Sequence, residues 1–194
     1  MKKLYIVIII VVIIGFAFFG WWYFSAPPAP QTTQKLAEEK VVPLQTFLLT
    51  VLDNNVSVKP APNEPFTEVL GTTVNVNEGS NVKTSLTGRA TIESLGQSTV
   101  VVDKNSEFTV AESTQHKTTI SLLAGNLWAK VQKLFGQGEY FKVQTPNAVV
   151  TVRGTSFGVL YANDVTTVMV AESRVSLLSI DPKTLQPIGE EVMI

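Results

Sequence analysis

Hydrophobic positions follow two rhythms along the chain, and the change between them near Val42 divides it. From Leu4 to Phe24 the residues are apolar or glycine, with no charge anywhere in the run. A helix of that length, at about 1.5 Å per residue, crosses the roughly 30 Å hydrocarbon core of a bilayer. Lys2 and Lys3 precede it and Trp21, Trp22 and Tyr23 close it, placing the N-terminus inside and an aromatic belt at the outer interface. Residues 1–24 are therefore expected to form a single-pass signal-anchor in the cytoplasmic membrane, with the rest of the chain extracytoplasmic. A cleaved signal peptide fits less well, because its apolar core is shorter and ends in a small-x-small site. Here Ala26 stands between bulky Phe24, two places before it, and Pro27.

Residues 25–42 read as a stalk. Ser25-Ala26-Pro27-Pro28-Ala29-Pro30-Gln31-Thr32-Thr33-Gln34 lacks large apolar groups and favours an extended, semi-rigid spacer. Lys35–Lys40 suits a short helical turn ended by Pro43. From there to about residue 180 the period is two. Phe47–Leu52, Val56–Val58, Val69–Val76, Ala90–Leu95, Thr99–Val102, Glu107–Val110, Thr118–Leu123, Leu127–Val131, Tyr140–Thr145, Val149–Val152, Ser156–Tyr161, Val165–Val170 and Arg174–Leu178 are short strand-like segments. Turn signals separate them, among them Asn77-Glu78-Gly79, Leu95-Gly96-Gln97, Asp103-Lys104-Asn105, Ala124-Gly125-Asn126, a hairpin signal at Phe135-Gly136-Gln137-Gly138, and Asn163-Asp164. Many short strands at this spacing predict an all-β domain over residues 43–180, as a sandwich, barrel or solenoid. Phe108, Leu122, Trp128, Phe141 and Phe157 are its expected core. Residues 181–194, opened by the turn pair Asp181-Pro182, are expected to be a tail.

The densest signal is Phe141 to Phe157. Phe141, Val143 and Thr145 share one face of a strand, Pro146-Asn147 turns the chain, and the β-branched run Val149–Val152 ends at Gly154. A glycine there suits a positive φ or a close chain approach. Thr145-Pro146, then apolar residues, then Val152-Arg153-Gly154-Thr155-x-Phe157 resembles the signature of the FecR domain family. Val56-Ser57-Val58, Gly71, Glu78–Thr84 and Leu123–Trp128 resemble its weaker upstream features, so the resemblance runs from about Val51 to Leu178. It implies a twisted, β-solenoid-like extracytoplasmic domain, best known from regulators that pass an iron-uptake signal to a sigma factor. Thr145, Pro146, Arg153, Gly154, Thr155 and Phe157 are the matching motif positions, with structural roles expected.

Composition narrows the function. A formal net charge of -1 with 16% charged residues offers no basic stripe for nucleic acid. The absence of cysteine excludes disulfides, thiolate nucleophiles and cysteine-ligated zinc. His116 is the only histidine and sits in a polar turn without a ligand-spaced partner in the sequence. No nucleophile elbow is present, and Gly136-Gln137-Gly138 is not followed by the lysine of a phosphate loop. Asp103 with Glu107, and Glu190 with Glu191, lie in turn and tail contexts without apolar shelter to raise a pKa. The chain is expected to have no enzymatic activity, cofactor or metal.

Binding is the alternative. Arg153 either ties the Gly154 turn to a neighbouring strand or grips a partner's carboxylate or phosphate. Trp128 either fills the core or, like Tyr140, is an exposed aromatic platform. Only Met1-Lys2-Lys3 precede the apolar run, so direct capture of a sigma factor is not expected. Three functions fit: an envelope scaffold or adaptor contacting another envelope protein, a sensory subunit working with a separate membrane signalling protein, and a cell-wall or glycan-binding module.

Overall fold

Alternation carries directly into three dimensions: within Ser98–Val102, Ser98, Val100 and Val102 are buried while Thr99 and Val101 face solvent. The computed structural model describes residues 46–94, 98–134 and 136–194. The expected anchor (1–24), the stalk (25–42) and the turn at Leu95-Gly96-Gln97 lie outside the described residues. Among the described residues no helix is long and apolar enough to cross a membrane. The described elements are all strands: β1 Phe47–Asp53, β2 Val56–Lys59, β3 Thr67–Glu68, β4 Thr73–Val76, β5 Asn81–Thr84, β6 Arg89–Ser94, β7 Ser98–Val102, β8 Glu107–Ser113, β9 Lys117–Val131, β10 Tyr140–Gln144, β11 Ala148–Val152, β12 Ser156–Ala162, β13 Val165–Glu172, β14 Ser176–Ser179 and β15 Val192–Met193.

They form two sheets that share one strand. The first runs β4-β1-β6-β7-β9-β12-β13, all antiparallel. The second runs β3-β2-β5-β8-β9-β10-β11-β14-β15, and its β9–β10 pair is parallel. Strand β9 serves both, pairing through Lys117–Ala124 with the second sheet and through Gly125–Val131 with the first. One cluster of buried side chains drawn from both sheets makes the core. Phe108, Leu122, Phe141 and Phe157 are all buried in it, and each large side chain taken from water contributes about 1.5–3 kcal/mol.

Several expectations are corrected. Trp128 is not core: 39% exposed, it shares the outer face of β9 with Lys130, whereas Leu127, Ala129 and Val131 point inward. Ala124-Gly125-Asn126 is not a turn between strands. Gly125 takes φ +91°, bending β9 from one sheet into the other, and a side chain there would stand 2.5 Å from Ser106 Cα and 2.6 Å from the Asn105 carbonyl. Gly136–Gly138 does not close a hairpin, because β10 lies parallel to the first half of β9 (Phe141 beside Thr118). Nor is 181–194 a free tail, since β15 pairs with β14 through Ser176–Met193 and Leu177–Val192. Asn163 and Asp164 do form the predicted tight turn, with φ of 51° and 59° between β12 and β13, as hairpin twist requires.

Candidate functional site

The signature stretch crosses from one sheet to the other. Thr145 is buried and knits its turn together: its N–H donates to the Ala148 carbonyl at 2.8 Å, and its Oγ1 accepts the Ala148 N–H at 3.0 Å. The same Oγ1 lies 2.7 Å from Thr166 Oγ1, and Asn147 Nδ2 donates to the Asp164 carbonyl at 2.7 Å. These bonds tie the β10–β11 turn to the tip of the β12–β13 hairpin. Pro146 sits within that turn, where a ring-fixed φ costs nothing.

At its other end β11 gives way to Arg153-Gly154-Thr155, which leads into β12 of the first sheet. The chain leaving β9 lies against this crossing: the Val131 N–H donates to the Thr155 carbonyl and the Leu134 N–H to the Arg153 carbonyl. Gly154 takes φ +123°, and a Cβ there would approach Lys133 Cα to 2.5 Å. Both reasons for glycine that the sequence suggested hold at this position. Thr155 is buried, and its Oγ1 has no hydrogen-bond partner among the described residues. Phe157 fills the core.

Beside this crossing lies a cleft of about 640 Å³, lined by Lys133, Leu134, Arg153, Arg174, Glu191 and Met193 among others. The Arg153 side chain is exposed and makes no hydrogen bond or ion pair with a described residue; the turn is held by its backbone carbonyl instead. Arg174, which lines the same cleft, is likewise exposed and unpaired among the described residues. Glu191 accepts a hydrogen bond from the Ser176 hydroxyl.

The other two candidate binding residues lie on other surfaces. On the outer face of the first sheet Trp128 stands opposite Val101 and Gly158, and Gly158 opposite Met169. A Cβ at Gly158 would lie 2.6 Å from the Trp128 ring and 3.1 Å from Met169 Cε, so this glycine leaves the room in which indole and thioether meet. Tyr140 belongs to the second sheet. Lys142 Nζ sits 3.9 Å from its ring centroid, an attractive cation–π contact that covers the ring, and its hydroxyl donates to Glu112 at 2.7 Å. Burial and that bond push the phenol up to about 12. Trp128, Tyr140 and Arg153 are not brought together.

His116 does have a carboxylate partner, invisible in the linear sequence: its Nδ1 lies 2.6 Å from Glu139, which also accepts the Gly136 N–H at 2.8 Å. The pair is exposed on its histidine side and fastens the 136–138 loop. Glu107 pairs with Lys83 at 3.1 Å, and the Asp103 carboxylate caps the Lys104 N–H at 2.9 Å. No cluster of metal-ligating residues occurs among the described residues. Sequence reading missed Arg174 and Met169 and set Glu191 aside as a tail carboxylate, because only the folded chain brings them to Arg153 and Trp128.

Two sheets threaded by one shared strand, with a Thr-Pro turn and an Arg-Gly-Thr crossing between them, define a β domain of the FecR class. The chain belongs to the FecR protein family, whose model matches residues 80–176, half of the 194 residues. Two crystal structures, each of a candidate anti-sigma factor from Parabacteroides distasonis ATCC 8503, are similar to it. The one at 1.65 Å resolution is 16% identical with a TM-score of 0.43, over 59% of this chain and 58% of that one. The one at 2.50 Å is also 16% identical, with a TM-score of 0.36 over 75% and 59%. The chain thus spans less than two thirds of either solved chain. No curated protein matches it.

Proposed function

We propose that the chain presents a non-enzymatic interaction module outside the cytoplasm, held to the membrane by residues 1–24 and the stalk, as a scaffold or adaptor in the cell envelope. The back-and-forth path of the strands is read as a short solenoid-like stack whose edge accepts an extended strand of a partner protein. The observation that carries this reading is β13. Its eight residues pair with β12 on one side only, and the other edge is open among the described residues. Natural sheets defend their edges by shortness, lysine or proline. The other edge strands, β4, β3 and β15, have four, two and two residues, whereas β13 reads Val-Thr-Thr-Val-Met-Val-Ala-Glu with no lysine or proline.

An undefended edge of this length supports strand addition, in which backbone bonds supply affinity and side-chain pockets supply specificity. Trp128 and Met169, 39% and 41% exposed on the adjoining outer face, supply the apolar anchor that interfaces concentrate around aromatic residues. Membership of the FecR family supports a regulatory setting for this contact, with a separate membrane signalling protein as the partner.

Photoreactive residues at Val165 and Thr167, and at Leu48 near the opposite edge, test this in intact cells. A discrete envelope protein captured from β13 and not from Leu48, and lost on Thr167→Lys, is the expected result. Capture of wall polymer, or equal capture from both edges, overturns it. Retention of the N-terminal peptide in membrane-extracted protein tests the anchor; a mature chain starting near Ala26 ends it.

A further inference from the structure

We infer that the cleft beside the Arg-Gly-Thr crossing binds an acidic segment of a partner polypeptide, with Arg153 and Arg174 gripping one of its carboxylates. The inference rests on the interaction-module reading but concerns a different surface from β13. In the antiparallel β11–β14 pair, Thr151 stands opposite Ser176. Arg153 lies just past the end of β11 and Arg174 just before the start of β14, each two residues beyond that last pair. The intervening Val152 and Val175 are buried, so alternation turns both arginines outward, and both line the same cleft.

Two like charges brought to one cleft repel each other unless an anion comes between them. No described carboxylate lies within ion-pair distance of either guanidinium. The backbone beside Arg174 is also held in a conformation that L side chains rarely adopt, with φ +65° at Ser173. Local departures from what stability favours concentrate where a protein binds something. Two planar forks facing one space match a carboxylate or phosphate bidentately.

The rest of the lining selects between those anions. Glu191 shares the cleft, and its charge opposes a phosphate dianion more than a single carboxylate. Leu134 and Met193 add apolar wall, and the volume of about 640 Å³ far exceeds one oxyanion. A peptide in which acidic and apolar side chains alternate satisfies all three conditions.

The full chain, purified in a non-ionic detergent, is titrated into a short fluorescein-labelled peptide of alternating glutamate and leucine, and binding is read by anisotropy. The glutamine-for-glutamate peptide should bind at least about tenfold more weakly, as loss of charge-assisted pairing implies. Arg153→Gln with Arg174→Gln should lose the same factor, and Lys104→Gln, outside the cleft, should lose nothing. The double variant should melt no lower than the parent, because it relieves a like-charge pair. Glu191→Gln should tighten binding several-fold, and it tests the site even where the arginine variant folds poorly. Equal affinity for the two peptides, an unchanged double variant, or a Glu191→Gln variant that binds no better overturns the inference. Inorganic phosphate displacing the peptide at equal concentration overturns the peptide assignment and gives the cleft to phosphate. Failure here leaves cross-linking at β13 untouched, and failure at β13 leaves this titration untouched.

Discussion

Phe141 and Phe157 meet edge to face across the core, with ring centroids 6.2 Å apart and planes at 76°. One ring comes from β10 in the second sheet and the other from β12 in the first, so the two ends of the family signature close on each other through the interior. Such a pairing adds about 0.5–1.5 kcal/mol beyond the area it buries. Phe141→Ala and Phe157→Ala should each lower the unfolding free energy by about 3–5 kcal/mol. The double variant should lose less than the sum, because the two truncations empty one space. Urea unfolding of the four proteins measures the coupling, and strict additivity would mean that the rings do not support each other.

The period-two pattern made the all-β domain legible because most strands have one buried and one solvated face. The same pattern held the answer for Trp128, which falls on the Lys130 side of β9; residue size outweighed position in reading it as core. Gly125 was not legible, since Ala-Gly-Asn reads as a turn and only the close passage of Asn105 and Ser106 explains a glycine inside a continuous strand. The arginine pair was half legible. Arg153 stands out beside Gly154, but nothing local announces that the segment leading into β14 will bring Arg174 to the same cleft.

Gly154 carries two separable demands, a φ of +123° and the absence of a Cβ 2.5 Å from Lys133 Cα. Gly138 carries only the first kind, with φ +79° and nothing within 4 Å. Gly138→Ala should therefore cost about 1–2 kcal/mol, the usual penalty for an L residue at positive φ. Gly154→Ala adds a backbone collision and should cost roughly 3 kcal/mol or more, a melting temperature lower by about 6–12 °C for a domain of this size. Equal losses in parallel thermal melts would show that the approach of Lys133 is not what requires glycine at 154.

The bend in β9 gives a sharper version of the same test. A methyl at Gly125 meets the Ser106 Oγ, but also the Ser106 Cα at 2.5 Å and the Asn105 carbonyl at 2.6 Å. Removing the hydroxyl therefore cannot make room. Gly125→Ala should destabilise the domain by several kcal/mol, of order 3, and adding Ser106→Ala should not restore it. Recovery in the double variant, read by urea midpoint, would place the conflict in the side chain and deny that the two backbones need this closeness.

Tyr140 supplies the pH dependence. Burial, with the hydrogen bond its hydroxyl donates to Glu112, pushes the phenol up to about 12, against about 10 in an unfolded chain. The fold thus favours the protonated phenol. That contribution is complete below pH 10 and is lost as the pH climbs through the folded value near 12, because the unfolded chain releases its proton first. Tyr161, beside Asp164, is shifted in the same direction, so the fall in stability of the parent alone assigns nothing. The difference between the parent and Tyr140→Phe isolates the one group. It should hold steady from pH 7 to 9.5 and close between about 10 and 12. Melts across that range decide it, and a difference that persists undiminished at pH 12 would mean that the Tyr140 proton is not what Glu112 holds.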